Sequence, residues 1–370
     1  MTKRWAAGLF TALIFMYNHV GGLAQSETSA RAACILDMQT GRVLFESNMH
    51  QRLPMASTTK VMTALLAIEL GSLDDEVVCS DNAFGVSGTS MYLQPGETLT
   101  LEQLLLGLML VSGNDAAVAI AEHIGGTLEG FVSLMNSRAA EIGAVNTRFA
   151  NPHGQPDEGH YTTAYDLALI GREAMGNETF RRIVSTKKAE VPWAGRTYAR
   201  QLSNKNRLLA SYPGATGVKT GYTSKAGRCL VFGAQREGME IVGTVLACGD
   251  WFDEAQRLMD GCFETYSMTR VLGPGISAGQ IAVENGEVDR CGMCVMEALD
   301  VPLAVGEAAQ VVLDVPERVA APVYPGMHLG TAKLVVNGAV YAQGEVIASE
   351  RVAANGIGIQ VRRVIAHWVL

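Results

Sequence analysis

The stretch Pro54-Met55-Ala56-Ser57-Thr58-Thr59-Lys60, followed directly by Val61-Met62-Thr63-Ala64-Leu65-Leu66-Ala67-Ile68, decides how the rest of the chain is read. An apolar run of this length predicts a helix, and a serine and a lysine three apart at its start share one face, with the serine at the helix N-terminus. Taken alone, Ser-x-x-Lys commonly means a helix cap followed by a solvated lysine. Here no further charge appears until Glu69, so the helix is expected to be buried on most sides. A lysine in it must be paired, desolvated or lining a cleft. Lys60 therefore needs partners from elsewhere in the chain.

The chain has 370 residues, 48% hydrophobic and 18% charged, enough for two domains with sizeable cores. Its net charge of -8 gives no basic footprint, which excludes the nucleic-acid binders. Residues 1–24 read as an export signal: Lys3 and Arg4, the apolar stretch Ala6 to Tyr17, and Gly22-Leu23-Ala24 as a small-x-small cleavage site before Gln25. That apolar core is short for a membrane span. The expected place of action is therefore outside the cytoplasm, at the cell envelope.

Seven cysteines are spread widely apart from Cys291-Gly-Met-Cys294. That is too sparse for a disulfide-stapled scaffold, and a lone Cys-x-x-Cys without a second pair is poor evidence for zinc. Most are expected to be small core residues, with Cys291 and Cys294 open to a local disulfide. No metal is expected.

Residues 30–48 predict two short strands turning at Gln39-Thr40-Gly41 and leading into the Ser57 helix. Thr100 and Gln103 form a candidate capping box opening an apolar helix from Leu101 to Val111. That helix breaks at Ser112-Gly113-Asn114 before a second apolar segment, Ala116 to Ile124. A polar tripeptide between two buried helices is either a satisfied corner or the wall of a cleft. Helices with threonine caps are expected over 127–143 and 163–175, separated by a Gly/Pro-rich loop that carries His153 and His160, both expected to be solvated. Strand-like runs at 228–234 and 241–248 follow Gly217-Val-Lys-Thr-Gly221, and an amphipathic helix runs from Trp251 to Tyr266.

With helices in the middle and strands at both ends, the first domain is expected to close its termini into one sheet flanked by helices. The texture changes near Leu272-Gly-Pro-Gly-Ile276, the expected linker. Beyond it, short apolar runs broken every eight to twelve residues by Gly, Pro or Asn predict a small β-sandwich. In Gly356 to Leu370, Val361, Ile365, Trp368 and Val369 share one helical side and Arg362 and Arg363 another. This fits an interfacial membrane helix and, equally, a last strand with a frayed tail.

Three signals thus stand in order: Ser57-x-x-Lys60, Ser112-Gly113-Asn114 and Lys219-Thr220-Gly221. At this point the chain resembles the serine penicillin-recognising enzymes, and within them the low-molecular-mass D-alanyl-D-alanine carboxypeptidases. Met91-Tyr-Leu-Gln-Pro-Gly96, Ser112-Gly-Asn-Asp-Ala116, Phe149-Ala-Asn-Pro-His-Gly154 and Val218-Lys-Thr-Gly-Tyr-Thr223 carry the same likeness. The resemblance implies an α/β (α+β) fold: a β-lactamase/transpeptidase-like domain over 28–268 with an antiparallel sheet flanked by helices. An all-β domain over 276–355 and a tail at 356–370 would follow.

Acyl transfer from a peptide needs a nucleophile, a base, a proton donor for the leaving amine and a site for the oxyanion. The expected roles are Ser57 as nucleophile and Lys60 as base, kept neutral by desolvation and the nearby charge of Lys219. Ser112 would pass the proton to the leaving nitrogen, and Asn114 would hold the substrate backbone or Lys60. Lys219 and Thr220 would read a terminal carboxylate, and the N–H groups of Ser57 and Tyr222 would form the oxyanion hole, with Gly221 allowing close approach. The family's carboxylate-binding arginine has no clean match; Arg228 and Arg257 are candidates. No cofactor is expected; the partners implied are peptidoglycan stem peptides, β-lactam inhibitors and a membrane surface for the tail.

Three alternatives remain open on sequence. A β-lactamase needs a deacylating element such as Glu-x-x-Leu-Asn, and the nearest string, Glu173-Ala-Met-Gly-Asn177, lacks the leucine and lies far past Ser112. A non-catalytic wall-binding homologue would not need all three motifs intact. A transpeptidase differs only in whether an amine or water accepts the acyl group.

Overall fold

The computed structural model describes residues 27–356. The expected export signal and, past Gly356, the expected membrane tail lie outside the described residues. The chain divides by its contacts at Thr265/Tyr266 into two compact units.

The first unit begins with the expected hairpin, β1 (Ala32–Asp37) and β2 (Val43–Ser47), closed by a turn in which Asp37 Oδ1 accepts the Thr40 N–H at 2.7 Å and Gly41 takes φ 71°. A 3-10 turn, Ala56–Thr59, leads into α1 (Lys60–Leu70), buried from Lys60 to Ala67. Ser57 thus precedes the α-helix by one turn of three residues per revolution, a winding that eclipses positions i and i+3 and lays Ser57 over Lys60.

A small pair, β3 (Glu76–Val78) and β4 (Thr98–Thr100), precedes α2 (Leu101–Leu106). Thr100 and Gln103 form the complete capping box there. Then follow α3 (Asn114–Gly125), α4 (Leu128–Ile142), α5 (Ala164–Met175) and α6 (Glu178–Ser185), with Thr127 and Thr163 capping α4 and α5. A hairpin of β5 (Lys188–Val191) and β6 (Arg200–Ser203) and the single turn α7 (Leu208–Ser211) lead to β7 (Ala215–Thr223), β8 (Gly227–Arg236), β9 (Met239–Leu246) and α8 (Trp251–Thr265).

One antiparallel sheet runs in the order β2-β1-β9-β8-β7, so the first and last strands of the unit are neighbours, as the pattern of strands at both ends required. Residues 229–234 of β8 are all buried, because α5 and α8 both pack on the sheet and leave neither side of its central strands to water. Helix α1 sits among α3, α4, α5 and α6 and touches β7, the edge strand. The Ser57 turn therefore meets the edge of the sheet.

The second unit contains β10 (Tyr266–Leu272), β11 (Ser277–Glu284), β12 (Arg290–Val295), β13 (Leu299–Ala304), β14 (Ala309–Asp314), β15 (Arg318–Ala320), β16 (His328–Val336) and β17 (Ala339–Ala348). Six of these form a sheet in the order β14-β16-β17-β12-β11-β15, and β10 pairs with β13. Ile281, Val301, Leu334 and Val346 are among its buried core. The turn at 273–276 joins β10 to β11 within this unit. Cys291 and Cys294 are both free thiols, so the local disulfide does not form. Three positions apart on one strand, their side chains leave opposite faces of β12.

Candidate active site

Lys60 is wholly buried at the start of α1, and its side-chain nitrogen makes three hydrogen bonds. It lies 3.1 Å from Ser57 Oγ, 2.6 Å from Asn114 Oδ1 and 2.7 Å from the carbonyl oxygen of His153. Two of these partners can only accept; the hydroxyl can do either. A neutral amine satisfies all three by donating to the amide and carbonyl oxygens and accepting from Ser57. Burial, and after it Lys219 and Lys205, hold the Lys60 pKa well below the ordinary lysine value, while Asp115 pulls it the other way. Burial is thus the first cause of the lowered Lys60 pKa and Lys219 the second, the two causes expected from sequence.

Ser112 and Asn114 come from the break between two helices. Past α2 the chain widens into a π-helical turn over Gly107–Val111 that ends on Ser112 in the left-handed region, at φ 67°. A non-glycine residue held there is strained, and such strain persists only where the surroundings fix it. Here Thr89 Oγ1 donates to the Ser112 carbonyl. The Asp115 carboxylate accepts the N–H groups of Met91 and Leu93 and the Ser90 hydroxyl, which ties the 89–93 loop to the same break. Asn114 Nδ2 donates to Ser87 O at 2.6 Å, so its Oδ1 is the atom presented to Lys60. The described residues contain no Lys60–Ser112 hydrogen bond; Lys60 reaches Asn114 instead.

The third motif lies on β7. Strand alternation sends Lys219 inward, where it is 1% exposed and donates to Thr220 O at 2.9 Å. Burial, and secondarily Lys205, bring its pKa down to about 7. Thr220, Gly221 and Tyr222 line one cleft together with Ser57, Ser112 and Asn114. Lys219 does not line that cleft; on β7 it shares the face of Gly221, which meets the Ser57 turn, and its charge helps lower the Lys60 pKa.

Several residues of the cleft wall, Gly88, Thr89 and Gln155 among them, had no sequence signal. Lys205, exposed at the mouth after β6, and Trp251, at the first position of α8, both line it. Neither candidate arginine does. Arg228 donates to Gly249 O, and Arg257 is engaged with Glu254 and the Glu27 carbonyl. The cation that faces the cleft is Lys205.

The 149–160 loop corrects another expectation, since neither of its histidines is freely solvated. His153 is half-buried and gives its carbonyl oxygen to Lys60; His160 is 4% exposed beneath the Ser57 turn. Burial lowers both imidazoles to about 4, chiefly by desolvation, so both are neutral at pH 7. Among the described residues no group of His, Cys, Asp or Glu could hold a metal ion.

A family model described as D-alanyl-D-alanine carboxypeptidase, peptidase family S11, matches residues 20–249. The chain belongs to this family. It is a serine-type D-Ala-D-Ala carboxypeptidase, and its relatives carry the same name. The carboxypeptidase DacF of Bacillus subtilis is 32% identical over 357 residues, covering 92% of this chain and 90% of that protein. DacC of Escherichia coli is 30% identical, covering 95% and 92%. Among solved structures, penicillin binding protein 5 from Haemophilus influenzae superimposes with a TM-score of 0.74 at 25% identity, covering 90% of this carboxypeptidase and 100% of that chain. The likeness spans both units, the β-rich one included.

Proposed function

We propose that this carboxypeptidase removes the terminal D-alanine of peptidoglycan stem pentapeptides through an acyl-enzyme on Ser57, and that β-lactams acylate the same serine. The observation that carries this reading is the buried Lys60 amine, 3.1 Å from Ser57 Oγ and with two obligate acceptors for its N–H groups. Neutral Lys60 takes the hydroxyl proton as Ser57 Oγ attacks the carbonyl carbon of the penultimate residue. The resulting oxyanion is met by the N–H groups of Ser57 and Tyr222. When the tetrahedral species collapses, the C–N bond breaks and the proton passes through Ser112 to the departing D-alanine nitrogen. Water then repeats the attack on the ester, returning Ser57 to its hydroxyl form.

Thr220 and Lys205 are the groups assigned to the substrate's terminal carboxylate, with the buried Lys219, on the face of β7 that meets the Ser57 turn, supplying field. Asn114 orients Lys60. The reaction is placed outside the cytoplasm, after export by residues 1–24, with segment 356–370 resting on a membrane surface.

The test is incubation with a peptide ending in D-Ala-D-Ala and, separately, with benzylpenicillin, followed by mass spectrometry. Released D-alanine and a slowly hydrolysed adduct on the Ser57 peptide are expected. Fast penicillin turnover without D-alanine release would replace this reading by a β-lactamase, and no reaction with either by a wall-binding homologue. An added amine that captures most of the acyl group would make it a transpeptidase.

A further inference from the structure

The buried imidazole under the Ser57 turn has no part in the chemistry above, yet its hydrogen bonds run toward the nucleophile. His160 Nδ1 accepts the Ala150 N–H at 3.0 Å, so on a neutral ring the proton sits on Nε2. Nε2 stands 2.7 Å from Thr59 Oγ1 and donates to it; the Thr59 hydroxyl then donates to the carbonyl oxygen of Ala56 at 2.8 Å. That carbonyl belongs to the same planar peptide unit as the Ser57 N–H, and in a trans unit the two point in opposite directions. Fixing the oxygen from below therefore aims the N–H above.

The unit needs such fixing. Ala56 is held at φ 49°, a left-handed conformation that costs an alanine about 1–2 kcal/mol. On its other side the Ala56 oxygen is packed against Gly154 so tightly that a Cβ there would lie 1.9 Å away. Without the hydroxyl of Thr59, relaxation of Ala56 toward ordinary backbone angles would rotate the peptide plane and swing the Ser57 N–H away.

We propose that His160 is a positioning residue for the oxyanion hole, acting through Thr59 on the Ala56–Ser57 peptide plane. The proposal rests on the reading of the Ser57 N–H as an oxyanion donor. The relay is directional: the Nε2–H donor matters for the chemistry, whereas the Nδ1 acceptor serves only the loop at Ala150.

Glutamine and asparagine separate these two functions. The His160→Gln amide N–H replaces the Nε2 donor, while the His160→Asn oxygen replaces the Nδ1 acceptor and donates nothing to Thr59. Stopped-flow acylation by benzylpenicillin, resolved into binding and acylation steps, is to be compared for these variants and for Thr59→Val and Thr59→Ser, with thermal midpoints measured alongside. His160→Asn and Thr59→Val are expected to lower the acylation rate constant about 10–100-fold at unchanged initial binding, the scale of a misdirected oxyanion donor. His160→Gln and Thr59→Ser should stay within about threefold of wild type, and the double variant His160→Asn/Thr59→Val should be no slower than the worse single, as for members of one relay. Asparagine performing as well as glutamine, or rates that simply follow the thermal midpoints, would overturn the relay while leaving the Ser57 reading intact. A wild-type chain with no Ser57 adduct would overturn both.

Discussion

Gly221 abuts the amide of Ser57: a Cβ built on Gly221 would stand 2.9 Å from the Ser57 nitrogen, 2.9 Å from that of Thr58 and 3.2 Å from the Met55 carbonyl oxygen. The edge strand and the Ser57 turn are in backbone contact here, with no side chain between them, and on the oxyanion reading proposed above that contact sets the spacing of the Ser57 and Tyr222 N–H groups. All three atoms are backbone, so nothing can move aside cheaply.

Gly221→Ala is therefore expected to push β7 from the Ser57 turn and lower the benzylpenicillin acylation rate at least about 100-fold, the loss typical of one oxyanion donor. The remaining strand pairs stay in register, so circular dichroism should show a folded protein. Acylation within threefold of wild type, about 0.7 kcal/mol in barrier, would mean that the contact does not set the hole.

Lys219 should be a burden on stability that varies with pH. Its pKa is about 7 in the folded protein against an ordinary lysine value of 10.5. Between these two values the unfolded chain holds the proton and the folded one does not, so wild-type stability falls as pH drops from about 10 to about 7 through this group. Lys219→Met removes the titrating group. As pH falls across that interval, the stability of the variant relative to wild type should grow by a few kcal/mol, at most about 1.36 kcal/mol per pH step of one. Denaturation midpoints measured at several pH values check it, and a difference independent of pH would contradict the burial argument.

What can be seen in the sequence is what lies close along the chain. Ser57 and Lys60 share one turn, Ser112 and Asn114 share one helix break, and Lys219 to Tyr222 share one strand, so each piece announces itself by local spacing. The sheet is legible because β1 and β9 are apolar runs at opposite ends of the unit. Lys205 and Trp251 are not, since nothing local distinguishes a lysine after β6 or a tryptophan opening α8 until the fold lays both beside β7. His160 escapes a sequence reading for the same reason: a Gly/Pro-rich loop usually lies in water, and only packing under the Ser57 turn buries this one. The π-helical widening before Ser112 leaves no trace in an apolar run that reads as plain α-helix.

Lys205 is the cation at the cleft mouth, and its substitution should discriminate between substrates. With Lys205→Gln, KM for a peptide with a free terminal carboxylate should rise about three- to fivefold, the scale of an exposed charge pair. The same peptide as its amide should be unaffected. Equal effects on both would assign Lys205 to the field around Lys60 rather than to the carboxylate.

Asp115 offers the most informative substitution, because its two influences run in opposite directions. Its carboxylate accepts the N–H groups of Met91, Leu93 and Ala116 and the Ser90 hydroxyl while 1% exposed. In Asp115→Asn one oxygen becomes a donor facing donors, which should cost about 2–3 kcal/mol of stability and loosen the loop that carries Thr89. Asp115 also raises the Lys60 pKa, whereas Lys219 lowers it. Removing the negative charge should keep Lys60 neutral at lower pH and move the acid limb of the acylation rate down; Lys219→Met should move that limb up. Opposite displacements of the two profiles, obtained by penicillin acylation across the acid range, would identify Lys60 as the titrating base. Limbs that stay together would assign the titration to a group that neither Asp115 nor Lys219 reaches.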